Sequence, residues 1–270
     1  MTNLLREIYA HWSSLALESE PTYDAVALSF EAILRNHFHL DSVRERPKSA
    51  LNLRDLPDEP KYRLWRQLIP DNLLREQASA ALETLTRQPG QTTGYRLAMR
   101  SRIVEIRGRE RSQSIKSTTQ ELAILNPQGL LLGVEDVGYG ISTVLPIVTA
   151  INYRKACMIS IEQPELHIHP RLQTEIGELL LQSSRRNRNT LLVETHSEHL
   201  ILRILRRIRE TSRGKLPDGI AAVRPDEVTV IYVEPCEDGS LIREIKIDEQ
   251  GRIRSEWPKG FFEERLEELF

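Results

Sequence analysis

The chain has 270 residues, 40% of them hydrophobic and 28% charged, which excludes a disordered polymer and predicts one large or two small globular domains. The net charge of −2 argues neither for nor against a nucleic-acid partner, and two cysteines are too few for a disulfide framework and fit a reducing compartment. No apolar run reaches about 18 residues, which argues against a membrane span, and the opening "MTNLLREIYAHW" lacks the apolar core of a signal peptide, so a cytoplasmic protein is expected.

Residues 3–40 read as helical, because Phe30, Ile33, Leu34 and Phe38 recur at helical spacing. Residues 41–60 are polar and hold three prolines, the composition of a loop or linker. A second helical stretch, 61–87, stops at "RQPGQTTG". Residues 95–107 are then rich in strand formers. Two apolar runs flank "NPQG", whose proline at the second turn position and glycine at the fourth suit a type I turn, so a hairpin is predicted.

From residue 142 the pattern alternates. The helix "STVLPIVTAINYR" precedes the strand "ACMISI" at 156–161, and "RLQTEIGELLLQSSRRN" precedes "TLLVET" at 190–195. The helix "EHLILRILRRIRE" precedes "EVTVIYVE" at 227–234. Uniformly apolar strands separated by helices predict a parallel sheet covered on both faces. "EDGS" then turns into "LIREIKI" as a hairpin. The tail "WPKGFFEERLEELF" ends in a short helix. The arginine-rich stretches 96–111 and 203–213 read first as solvated faces rather than nucleic-acid sites. The expected organisation is a mainly helical, lid-like region over 1–93, an α/β core over 94–234 and a carboxyl-terminal extension over 235–270.

Ligands of parallel α/β sheets sit beyond the carboxyl ends of the strands. Two predicted strands end in polar clusters there, "SIEQPELHIH" and "VETHSEH". On neighbouring strands Glu162 would meet Glu194 and His196 around one ligand. A carboxylate so placed suits a hard cation such as Mg2+, and a histidine after the next strand can donate to a phosphate oxygen. Upstream, "DVGYGIS" sets Gly138, Gly140 and Ser142 before a helix, an arrangement that favours anions and is equally that of an ordinary tight turn.

These three pieces, in this order, resemble the carboxyl-terminal half of an ABC-type ATPase, in the bacterial branch related to the OLD nuclease ATPases and the SMC/RecF group. The resemblance covers about residues 94–270 and rests chiefly on "IEQPELHIHP" followed about 25 residues later by "ETHSEHL". The tail "WPKGFF" also resembles an extension found on some of these ATPases. The resemblance implies a partial P-loop-NTPase sheet flanked by helices. In it "VGYGIS" would be the signature motif, "CMISIEQPE" the Walker B strand, "LHIHP" the D-loop region and "ETHSEHL" the switch-histidine motif. Glu162 would orient Mg2+ and its water, and His196 would contact the γ-phosphate of ATP. Ser142, with Gly140, would touch the γ-phosphate of a nucleotide on a facing subunit, and His169 would lie near the dimer seam. The implied partners are a second copy or a hetero-assembly, with a nuclease and DNA as further candidates, DNA being met by the arginines of 203–213. Relatives of this kind act in DNA repair and phage defence.

Two departures stand out. Gln163 occupies the position where most relatives carry a glutamate that polarises the attacking water, and glutamine cannot accept a proton. Glu165 is the nearest replacement base, unless it pairs with an arginine such as Arg171. The second departure is that no G-x-x-x-x-G-K-[ST] occurs in these 270 residues; the one Gly-Lys pair, Gly214-Lys215, is followed by Leu216. Family topology sets the P-loop strand between the strands at 190–195 and 227–234. The chain is therefore expected to be a truncated or split ATPase whose slot is empty, collapsed or filled by another polypeptide; direct pairing of those two strands would rule out an open slot. The alternatives are an inactive remnant or nucleotide-sensing subunit, and a metal hydrolase built from "HIH" and "HSEH". His167 is expected to cap the loop after the strand, and His199 to sit on a helix face.

Overall fold

The computed structural model describes residues 36–44, 63–107, 114–237 and 239–254. The helix predicted over most of 3–35, the loop over 45–60 and the tail from Trp257 lie outside the described residues.

A three-stranded parallel sheet forms the centre, in the order β1 (His37–Leu40), β5 (Met158–Glu162), β6 (Thr190–Glu194). Its register aligns Phe38 with Ile159 and Leu191, and Leu40 with Ile161 and Val193. Because side chains alternate along a strand, one face is wholly apolar. Phe38, Leu40, Ile159 and Ile161 are buried on that face in a single core with residues of the flanking helices. The other face carries His37, His39, Ser160, Glu162 and Glu194, so the expectation of strands apolar on both faces is corrected. Along each strand these polar residues alternate with the apolar residues of the buried face.

The prediction that residues 37–40 continue a helix is also corrected. "HFHL" is a strand with its polar residues on one side and Phe38 and Leu40 on the other. Two apolar residues spaced by two fit the buried sheet face better than the end of a helix stripe. The predicted helix 61–87 is split in two. α1 (Arg63–Leu68) ends just before Pro70, and α2 (Asn72–Thr86) begins after Asp71, whose side chain accepts from the Leu74 amide at 2.9 Å.

β2 (Arg96–Arg107), β3 (Ser114–Leu125) and β4 (Leu131–Gly133) form a separate antiparallel sheet, with the predicted turn at Asn126–Gly129 closed by the Gly129 amide on the Asn126 carbonyl at 3.0 Å. α3 (Tyr139–Tyr153) follows and is buried from Ser142 to Ile151. α4 (Pro170–Asn187) crosses from β5 to β6, α5 (Glu198–Ser212) follows β6, and the two helices pack on each other.

Arg203 and Arg207 of α5 face that packing. Arg207 and Glu178, both buried, bond at 2.6 Å, and Arg203 joins Glu178 at 3.2 Å and Glu175 at 3.0 Å. Arg206 bonds Glu210 at 2.7 Å, and Arg209 donates to the Gln250 carbonyl at 3.2 Å. Burial alone would lower the Arg207 guanidinium, but hydrogen bonds to Glu178 and Glu210 outweigh it and raise it above its ordinary value. Arg203, Arg207 and Arg209 are thus engaged in holding α5 to its neighbours, while Arg206 pairs within the helix.

β7 (Val230–Cys236) pairs with β8 (Gly239–Ile245) in an antiparallel hairpin. Among the described residues it does not join the parallel sheet, which corrects the prediction of a further parallel strand at 227–234. The hairpin segment is tied back to the core at Gly251, where a Cβ would come within 2.1 Å of the Leu205 carbonyl oxygen. The outer edge of β6 consequently takes no strand among the described residues, and β6 and β7 are not hydrogen-bonded to each other. No helix among the described residues is long and apolar enough to cross a membrane.

Candidate functional site at the ends of β5 and β6

The carboxyl ends of β5 and β6 are in register, with Glu162 beside Glu194 on the polar face. Beyond Glu162 the chain turns sharply. Gln163 has a φ of 42°, a left-handed conformation that a non-glycine residue adopts only under constraint. Two contacts supply the constraint. The Gln163 amide donates to the Glu194 carbonyl at 2.8 Å, and Arg44 donates to the carbonyls of Glu162 and Gln163. Arg44 is only 7% exposed, and its Nε and Nη1 atoms are buried without a hydrogen-bond partner among the described residues. Burial lowers its guanidinium below the ordinary value, against the opposing fields of Glu165, Asp41 and Glu162. No pattern within residues 41–44 would have singled Arg44 out, because its partners are backbone atoms far along the chain.

Glu165 does not pair with Arg171, and it is not a free base. Its carboxylate accepts from the Thr195 hydroxyl at 2.7 Å and from the His196 amide at 2.6 Å. Both oxygens are thereby committed to holding the residues after β6. Arg171 instead donates to the Arg87 carbonyl. Glu165→Ala removes two hydrogen bonds to a charged acceptor, worth about 2 kcal/mol in local stability. The amide of His196 is expected to exchange about thirtyfold faster as a result, measured by hydrogen–deuterium exchange; unchanged exchange would mean the bonds do not restrain this loop.

The His196 side chain is exposed at the start of α5, which Ser197 caps by accepting from the Leu200 amide at 3.1 Å. Ser197 also donates to Gln173 Oε1 at 2.6 Å, and Gln173 donates to the Ile168 carbonyl at 2.9 Å. The loops after β5 and β6 are therefore one cross-braced unit. His199 is half-buried on α5, as expected of a helix-face residue.

Gly138 is the N-cap of α3, and Gly140 lies in its first turn, where a Cβ would sit 3.2 Å from the His167 carbonyl oxygen. A side chain there would crowd the loop after β5. The Tyr139 ring meets the His167 ring edge-on with centroids 4.7 Å apart, a packing role rather than the loop cap expected of His167. Ser142 is buried and its hydroxyl donates to the Tyr139 carbonyl at 2.9 Å. In this conformation the hydroxyl is turned into the helix, not outward. His169 is exposed and caps α4, its Nδ1 accepting from the Arg171 amide at 3.2 Å.

The donor set at the strand ends is two carboxylates on one face, which suits a hard cation that keeps several waters or phosphate oxygens. Among the described residues no group of three or more His, Cys, Asp or Glu converges to hold a metal ion.

Residues 89–201 match the family model of the AAA ATPase domain, and residues 223–270 match that of a protein family of unknown function, DUF3696. No curated protein matches the chain. Among solved structures, the chain is similar to an SMC head bound to the C-terminal winged-helix domain of ScpA, at 13% identity and a TM-score of 0.41. That match covers 64% of this chain and 42% of the other, so the chain spans less than half of that relative. A second is a structure from work on ATP-driven dimerization and DNA-stimulated activation of SMC ATPases, at 12% identity and a TM-score of 0.38, covering 72% of this chain and 91% of the other.

Proposed function

We propose, with an AAA ATPase domain over residues 89–201 as the premise, that this chain contributes the signature, Walker B and switch-histidine side of an ABC-type ATPase site. The observation that carries the reading is the aligned end of β5 and β6. There Glu162 and Glu194 share a face, and Glu165 bonds the backbone of His196. ATP with Mg2+ is the ligand. The metal, when bound, neutralises phosphate charge and orients the attacking water. Glu162 holds the metal side of the site, Gln163 orients water without accepting its proton, and the exposed His196 donates to a phosphate oxygen. Gly138, Gly140 and Ser142 form the signature turn and His169 borders the seam with a facing subunit. For Ser142 to reach a nucleotide its hydroxyl must leave the Tyr139 carbonyl.

The P-loop comes from outside these 270 residues, on a strand that pairs with the edge of β6 that takes no strand among the described residues. Such an edge in a parallel sheet leaves a row of unpaired backbone groups and half-buried aliphatic side chains. The assembly is a dimer or hetero-assembly, with a P-loop-bearing chain or nuclease beside it and a role in DNA repair or phage defence. The reading takes the core to end after α5 and assigns the whole β7–β8 hairpin to the carboxyl-terminal extension, a boundary a few residues earlier than 235.

The test is ATP binding and hydrolysis by the purified chain, alone and co-expressed with a P-loop-bearing polypeptide encoded immediately upstream. Weak binding alone and Glu162-dependent turnover together are expected. Turnover indifferent to Glu162→Gln would end the reading. A second reading, a nucleotide-sensing subunit without turnover, is favoured by Gln163; it predicts nucleotide-dependent association with no phosphate release.

A further inference from the structure

Four side chains on the polar face of β1 and β5 form a continuous row that ends on Glu162. His37 Nε2 lies 2.7 Å from Ser160 Oγ, and His39 Nδ1 lies 2.8 Å from the same oxygen. His39 Nε2 lies 3.4 Å from Glu162 Oε1, with the two side chains 24% and 31% exposed. The donor inventory gives this row a direction. A serine hydroxyl has one hydrogen and two lone pairs, and a neutral imidazole has one donor and one acceptor nitrogen. Glu162, when ionised, only accepts. A hydrogen on His39 Nε2 therefore faces the carboxylate, which leaves His39 Nδ1 as an acceptor. Ser160 must then give its single hydrogen to His39, and its lone pair must accept from His37 Nε2–H. Every atom in the row is satisfied, from His37 through Ser160 and His39 to Glu162. With His39 neutral, the opposite sense would set a lone pair of His39 against a lone pair of the carboxylate.

We propose that His39 is the positioning residue of Glu162, its ring fixed by Ser160 and His37. This rests on the reading of Glu162 as the metal-side acid. Both histidines come from β1, outside the residues that match the ATPase domain, while Ser160 lies on β5 within them. The 3.4 Å contact is longer than a strong hydrogen bond, and site contacts of this kind commonly tighten when ligand binds. A carboxylate held by an outer partner presents its second oxygen to a cation in a fixed direction, and losing such a partner typically weakens metal affinity about 10- to 100-fold. His39 and Ser160 meet only through the β1–β5 register, which is why the sequence motifs at 159–170 do not reveal the partner.

Two measurements on the full chain test this. Long-range proton–nitrogen spectra of 15N-histidine-labelled protein should find both His37 and His39 protonated at Nε2 and bare at Nδ1. Ser160→Ala should shift the His39 ring nitrogens. A protonated His39 Nδ1, or no response to Ser160→Ala, overturns the proposal. Separately, Mn2+ alone is titrated by electron paramagnetic resonance. His39→Ala should weaken Mn2+ about tenfold, and His39→Gln, whose amide can still donate to Glu162, should restore affinity to within about twofold. Equal affinity in His39→Ala and the parent chain, alongside loss in Glu162→Gln, also overturns it. If Glu162→Gln itself leaves Mn2+ binding unchanged, the metal reading of the site fails, and the tautomers still decide the row.

Discussion

Glu178→Ala is expected to destabilise the fold by about 3 kcal/mol, because removing one member of a buried ion pair leaves the other charge desolvated. Glu178 accepts from both Arg203 and Arg207 at the α4–α5 contact, and Arg207 is buried beside it. The loss falls at the low end of the usual range, since Arg207 keeps Glu210 and Arg203 keeps Glu175. The companion variant separates charge from packing. Replacing both Glu178 and Arg207 with methionine removes the orphan, and each remaining ion retains a partner, Arg203 with Glu175 and Arg206 with Glu210. The double variant should therefore be less destabilised than Glu178→Ala. Urea denaturation followed by circular dichroism measures both; a double variant worse than the single one would show that shape at this contact outweighs charge.

Gln163→Glu is expected to raise ATP turnover about a hundredfold or more in an assembly that supplies the P-loop, the usual worth of a general base. The substitution is close to isosteric, and the left-handed backbone at this position is held by main-chain partners that the change does not touch. Glu165 is the less available base, because each of its oxygens already accepts a hydrogen bond, from Thr195 and from the His196 amide. On the proposed reading the same change should alter nothing in the chain alone, whose sequence holds no G-x-x-x-x-G-K-[ST]. Steady-state phosphate release reads both cases. A competent assembly whose rate does not respond would place the proton acceptor elsewhere in the site.

The sequence by itself determined the order of elements from 95 to 212, the hairpins and the two polar strand ends. These depend on local signals: helix-period apolar stripes, four- to six-residue aliphatic runs, and turn chemistry such as "NPQG". The resemblance then proposed roles for the residues at those ends. Only the tertiary structure decided what each polar side chain meets. β1 is four residues long, and "HFHL" has the same apolar spacing whether it ends a helix or crosses a sheet; pairing with β5 settled it. Register decided that His39 and Glu194 flank Glu162, since a one-residue slip of β1 or β6 would send His39 or Glu194 to the apolar face. Loop crossing decided that Glu165 serves His196 rather than an arginine. β7 turned to β8 because a two-residue turn is a nearer partner than a sheet edge reached across α5 and its following loop. Motif spacing reads contacts within one segment; Arg44 and His39 touch Glu162 and Gln163 from more than a hundred residues away, where only the packed sheet brings them together.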